Sequence, residues 1–193
     1  MKKTSIQGDN IVNAFEISLL HSLHNTLACP FLDAFLSAVT HLGDSGIFWV
    51  ALAMVLILIP KTRKIGVHMG LALLFGLIVC NLGLKPLIHR IRPYDLDPTF
   101  TLLIPPEHDF SFPSGHTAAS FEGAVSLFMH DKRWGTAALV LASVIAFSRL
   151  YLTVHYPTDV LAGLLIAIAL AVLAGWVTEK IFEKIREKQS HKA

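Results

Sequence analysis

"WGTAALVLASVIAFSRLYLTVHYPTDVLAGLLIAIALAVLAGWVT", residues 134–178, holds two apolar runs split by a short polar patch. The runs, 134–152 and 158–178, each approach the roughly 20 residues that carry a helix across a bilayer. The patch between them contains Arg149, His155 and Asp159. Ionisable groups beside a hydrocarbon layer are costly, so by default they mark function. Pro157 fits the first turn of the second helix. The pair therefore reads as a helical hairpin with a polar corner.

Three further apolar segments, roughly 46–60, 65–84 and 115–129, are bounded by charge, Pro or Gly. The region 11–42 is less regular. Ile11, Val12, Phe15, Leu19, Leu20 and Leu23 recur at helical spacing, but Asn13, Glu16 and His21 interrupt them. This pattern predicts an amphipathic surface helix, a break near Pro30 and a short crossing over "FLDAFLSAVTHL". One kinked crossing from about 13 to 40 is the alternative, and either gives six crossings.

Composition agrees with this. The 193-residue chain is 53% hydrophobic and only 16% charged, with a mean hydropathy of +0.58. Soluble domains carry about 25% charged residues. The predicted fold is all-α, a polytopic membrane bundle of about six transmembrane helices in a single domain, 1–193. Within it, 1–29 is an amphipathic or first-helix region, 42–178 the core and 179–193 a basic tail. No apolar stretch directly follows Lys2 and Lys3, so no cleavable signal peptide is expected. Cys29 and Cys80 lie far apart in apolar surroundings, which argues against a disulfide framework or a metal site.

Six crossings place twelve of the sixteen Lys and Arg residues on one face. The positive-inside rule makes that face cytoplasmic, with both termini. The remaining four cations, Lys85, Arg90, Arg92 and Arg149, fall on the outer face of a bacterial cytoplasmic membrane. They lack a topological reason to be there.

Helix count alone brings the chemistry together. Lys85 ends the third crossing, "PSGH" (113–116) opens the fourth, Arg149 ends the fifth, and His155 and Asp159 bracket the start of the sixth. Lys85, Arg92 and Arg149 suit a multiply charged anion. Ser114 is a good N-cap, Gly115 permits close backbone approach, and a helix N-terminus favours anions. Pro157 aims a second helix N-terminus at the same place. The anion that fits is phosphate. His116 and His155 could then supply a nucleophile and a proton donor, with Asp159 fixing the His155 tautomer.

"KPLIHRIRP" (85–93), "PSGH" (113–116) and "SRLYLTVHYPTD" (148–159) together resemble the signature motifs of the type 2 phosphatidic acid phosphatase family. That superfamily includes soluble acid phosphatases and vanadium haloperoxidases. The resemblance implies His155 as nucleophile, Asp159 as its partner and His116 as general acid. It also implies that Lys85, Arg92, Ser114, Gly115 and Arg149 hold the phosphate. Neither a metal nor a cofactor is implied. The expected partners are a lipid phosphate or diphosphate and membrane lipids, with no nucleic acid. A polyprenyl diphosphate ranks first, and phosphatidylglycerophosphate or phosphatidate next. A phosphotransferase and a non-catalytic lipid-binding or transport protein on the same scaffold are the alternatives.

The motifs leave several residues unassigned. Arg90 has no assigned role and reads at least as readily as an interfacial anchor as a substrate contact, and Asp44 and Asp109 read as ordinary loop acids. Glu122 is about 12 Å into the fourth helix, at 1.5 Å per residue. It reads as a structural acid with Ser120 or Asn81 as neighbours.

Overall fold

A computed structural model describes residues 3–190, with side chains from residue 13 onward. The helices are α1 (Lys3–Leu27), α2 (Pro30–Thr40), α3 (Ile47–Leu58), α4 (Arg63–Gly76), α5 (Lys85–Ile88), α6 (Pro93–Leu96), α7 (Gly115–His130), α8 (Lys132–Tyr151) and α9 (Pro157–Ser190). A π-helical stretch, Leu77–Leu84, continues α4 into α5. Four stretches are long and apolar enough to cross a membrane: Pro30–Leu58, Arg63–Leu96, Lys132–Tyr151 and Pro157–Ser190. The central helix, α7, packs against α3, α4, α8 and α9.

Side-chain size sets the packing, in the manner of a lipid-facing bundle. The buried face of α9 carries Gly163, Ala167, Ala171, Ala174 and Gly175, at helical spacing. Its exposed face carries Leu161, Leu165, Ile168, Val172 and Trp176. Small residues inside let backbones approach, and large apolar residues outside suit hydrocarbon. A Cβ at Gly163 would lie 2.8 Å from the Ser114 carbonyl oxygen, so this glycine is what seats α9 on the start of α7.

Local chemistry sets the corners. Asp131 ends α7 and caps α8, accepting from the Arg133 and Trp134 N–H groups. Ser114 caps α7 and accepts from the Thr117 N–H. After α8, Thr153 adopts φ +56°. That left-handed residue folds the chain back so that the Val154 and His155 N–H groups both reach the Arg149 carbonyl, at 3.2 and 3.3 Å. The reversal is thus made at Thr153, and Pro157 only starts α9.

The break near Pro30 falls where the sequence places it, but α2 follows neither predicted path. Its ends meet the same end of α8: the Cys29 N–H donates to Tyr151 Oη at 3.4 Å, and Arg149 donates to Thr40 Oγ1 at 2.6 Å. The buried Arg149 and Tyr151 hold α2 along that end, not through the bundle. The count of about six long helices stands, with α1 beside α3, α4, α7, α8 and α9. The described side chains of α1 touch that same end, where Glu16 meets Thr158 and His21 meets Asp97. They are therefore at the opposite end from the α9 tail. Lys2, Lys3 and Lys192 fall where no side chain is described. Of the other thirteen Lys and Arg residues, nine belong to the far end and its tail; Lys85, Arg90, Arg92 and Arg149 are at the α1–α2 end.

Candidate active site at one end of the bundle

His155 is 1% exposed, beside Asp159 at 0%. His155 Nε2 lies 3.3 Å from Arg92 Nη1. A guanidinium only donates, so Nε2 holds the lone pair and the ring proton is on Nδ1. Nδ1 is 3.4 Å from Asp159 Oδ2 and 3.5 Å from Ser111 Oγ. Ser111 in turn donates to Asp159 Oδ2 at 2.5 Å, as does the Tyr156 N–H at 3.0 Å. Burial, followed by the charges of Arg92, Arg149 and Lys85, holds the imidazole well below its usual titration range. The geometry presents a neutral histidine with its Nε2 lone pair directed at Arg92.

Those cations form a cradle. Arg92 also donates to the Val154 carbonyl at 2.8 Å and to the Asp109 carbonyl at 2.9 Å. Arg149 is fully buried, and its Nε has no hydrogen-bond partner among the described residues, so it is free to donate to an anion. Lys85 ion-pairs with Asp109. A Cβ at Gly115 would lie 3.6 Å from Lys85 Nζ, in ordinary contact, so the space in front of that glycine lies beside the ammonium. Ser114 acts as the predicted cap, and its N–H donates to the Asp159 carbonyl at 3.1 Å, locking α7 to α9.

His116 stands across the cradle. Its Nε2 meets Asp44 Oδ1 at 2.9 Å and so carries the proton in that bond, and its Nδ1 is 4.0 Å from Glu107 Oε1. The structure brings together all eight sequence-predicted site residues. It also corrects two expectations. Asp44 and Asp109 are not ordinary loop acids, because one orients His116 and the other pairs with Lys85 and Arg92. The α9 N-terminus does not open onto the cradle, because Glu16 Oε1 accepts from the Thr158 N–H at 2.8 Å.

The long loop between α6 and α7 contributes most of what the motifs omit. Glu107 pairs with Arg149 and, at 3.2 Å, with Arg92; Asp109 lies 2.5 Å from Arg92. Burial pushes the Glu107 carboxyl up, but Arg149, His116 and Arg92 outweigh it and hold it below the ordinary carboxylate range. Asp109 is held low in the same way by Lys85 and Arg92. The cradle is therefore neutralised by the protein's own carboxylates. Glu107, Asp109 and Ser111 directly precede "PSGH", and that closeness was the one available signal. Glu16, Asp44 and Thr40 lie more than 65 residues from their partners and gave none.

A groove of about 750 Å³ opens beside the cradle. Asp44, Lys85, Glu107, Asp109 and His116 line one end, and Val50, Met54, Ile57, Leu73, Leu74 and Leu77 line the rest. A charged mouth on a long apolar groove matches a lipid with an anionic headgroup.

Residues 65–183 match the PAP2 superfamily. The chain belongs to that superfamily. Among PAP2 relatives, phosphatidylglycerophosphatase B of Bacillus subtilis is 32% identical over 171 residues, 82% of this chain and 81% of that protein. Undecaprenyl-diphosphatase of Sulfolobus acidocaldarius is 32% identical over 120 residues, 61% of this chain and 57% of the relative. The crystal structure of Aquifex aeolicus LpxE superposes with a TM-score of 0.72 at 31% identity, covering 81% of this chain and 92% of the other. The relatives are named phosphatases, so the PAP2 fold and the phosphatase class stand together here.

Glu122 is also deeply buried, but its surroundings differ from the expectation. Its carboxyl packs against Gly76, where a Cβ would collide with it, and Oε1 has no hydrogen-bond partner among the described residues. Ser120 instead accepts from Trp49 Nε1 at 3.1 Å.

Proposed function

We propose that this chain hydrolyses a lipid phosphate or diphosphate through a phosphohistidine, at the outer face of the cytoplasmic membrane. One observation carries the reading: a neutral His155 with its Nε2 lone pair facing Arg92, beside an apolar groove whose charged end is lined by Lys85, Glu107, Asp109 and His116. Lys85, Arg92 and Arg149 bind and neutralise the phosphoryl oxygens. His155 Nε2 attacks phosphorus, and the bond from phosphorus to the leaving oxygen breaks. His116 enters this step as the imidazolium, its Nε2–H held by Asp44, and its Nδ1–H protonates that oxygen, leaving the ring neutral. Asp159 holds the Nδ1 proton of His155 and stabilises the cationic ring. Water then cleaves the phosphorus–nitrogen bond, His116 takes its proton, and phosphate leaves. Phosphate can enter only by displacing Glu107 and Asp109 from the arginines.

The nine cations at the far end support this sidedness, since the positive-inside rule assigns such an end to the cytoplasm. A polyprenyl diphosphate ranks first as substrate, in keeping with one long apolar groove. Phosphatidylglycerophosphate and phosphatidate rank next. Phosphate release from each of the three, in detergent, with and without a chelator, tests the reading. Turnover should survive chelator and be inhibited by vanadate. Full turnover of all three lipids by His155→Ala would overturn it.

A further inference from the structure

Arg90 falls between the motif residues of "KPLIHRIRP", and Glu16 lies outside the matched residues 65–183 altogether. The fold nevertheless joins both to Asp159. Arg90 Nη1 donates to Asp159 Oδ1 at 2.5 Å and to Thr158 Oγ1 at 2.6 Å. Its other arm donates to Glu16 Oε2 at 2.5 Å and to Asn13 Oδ1 at 2.8 Å. The guanidinium lies 3.9 Å above the Tyr156 ring centroid, and the Arg90 carbonyl accepts from the Ser111 N–H at 2.9 Å. Glu16 is 3% exposed and also accepts from the Thr158 N–H, fixing the first turn of α9.

A guanidinium held on both arms and stacked on a ring has little freedom to rotate. Asp159 Oδ1 is thereby committed to Arg90, which leaves Oδ2 facing His155 Nδ1. We propose that Glu16 on α1, acting through Arg90, orients Asp159 toward His155, making the N-terminal helix a working part of the active site. Glu16 and Arg90 are positioning residues, since neither touches the cradle where phosphate would sit. The inference rests on His155 as nucleophile.

The test uses the full-length chain in detergent with a short-chain polyprenyl diphosphate, reading kcat, KM and thermal stability. Arg90→Ala should lower kcat about tenfold or more, and Glu16→Gln roughly threefold to tenfold, with KM within about twofold of the parent. Arg90→Lys keeps the charge but loses the fork, and should fall between the parent and Arg90→Ala. The Glu16→Gln/Arg90→Ala double variant should fall no further than Arg90→Ala, because Glu16 acts through Arg90. Parent-like kcat in Glu16→Gln and Arg90→Lys overturns the inference. So does additivity in the double variant, or a kcat loss that tracks only lost folded protein. A His155→Ala control separates the two ideas. Retained turnover there defeats the nucleophile assignment; an inactive control beside a normal Glu16→Gln defeats only the positioning role.

Discussion

Two buried histidine sites lie at opposite ends of the bundle, and their difference explains why one reads as chemistry. His68, at the far end, is fully buried. Its Nε2 donates to the Ala171 carbonyl at 2.7 Å, and its Nδ1 lies 3.0 Å from His130 Nε2. Both ring nitrogens are thus occupied by neutral partners, and the nearby Lys64–Glu179 pair is closed on itself at 2.5 Å. His155 is as buried, but its Nε2 accepts only from an arginine, at a long 3.3 Å, among further cations. Burial and pairing are common to both. Of the two, only His155 turns a ring nitrogen toward an arginine in a cluster of cations.

The contrast predicts opposite responses. His155→Ala should reduce turnover by about a thousandfold or more, with little change in thermal stability. His68→Ala should do the reverse. It opens a cavity and strands the His130 partner, costing about 2 kcal/mol or more, while turnover per folded molecule is kept. Loss of turnover in folded His68→Ala would erase the distinction. Arg149→Ala should lower kcat/KM roughly a hundredfold, the scale seen when one oxyanion donor is removed.

Smaller effects sharpen the picture of the cradle. Glu107→Gln removes a carboxylate that pairs with Arg149 and Arg92. Vanadate should then bind roughly threefold to tenfold tighter, and weaker binding would show that Glu107 helps hold the anion. The pH profile tests the neutral histidine. A pKa held well below 6.5 keeps His155 deprotonated as pH falls through that value. The acid limb of kcat/KM assigned to this group should therefore lie below pH 6.5, and an acid limb at or above it would contradict the burial argument. Glu122→Gln should leave turnover within about twofold, because the carboxyl packs on Gly76, about 9 Å along α7 from His116 at 1.5 Å per residue.

Much of the site was legible because its parts sit at helix ends. Lys85, His116, Arg149 and His155 share a face whenever the apolar runs are counted correctly, and that parity does not depend on the packing angle of any helix. Asp159 was legible because four residues span one helical turn. The loop acids were not. Nothing in "IPPEHDFSFP" distinguishes a solvated Glu107 from one lodged between two arginines. The 30–40 segment misled for a related reason. Its composition suits a crossing, but Thr40 and the Cys29 N–H have buried polar partners at the end of α8. In a low-dielectric setting, satisfying Arg149 and Tyr151 outweighs a general preference for spanning.

The sequence was sufficient for what depends on period and order: an all-helical membrane bundle, and a single end at which the motif cations and histidines gather. Those follow from the length of apolar runs and from which end of each run carries charge, and both are properties of the chain read in one dimension. Tertiary structure was needed wherever a side chain chooses between partners. It set which nitrogen of His155 faces the arginine, that loop carboxylates neutralise the cradle, and that α1 reaches Asp159 through Arg90. Each of these is a competition between charged groups far apart in the chain. Only the folded distances, with desolvation charged against every unpaired ion, settle which pairs form.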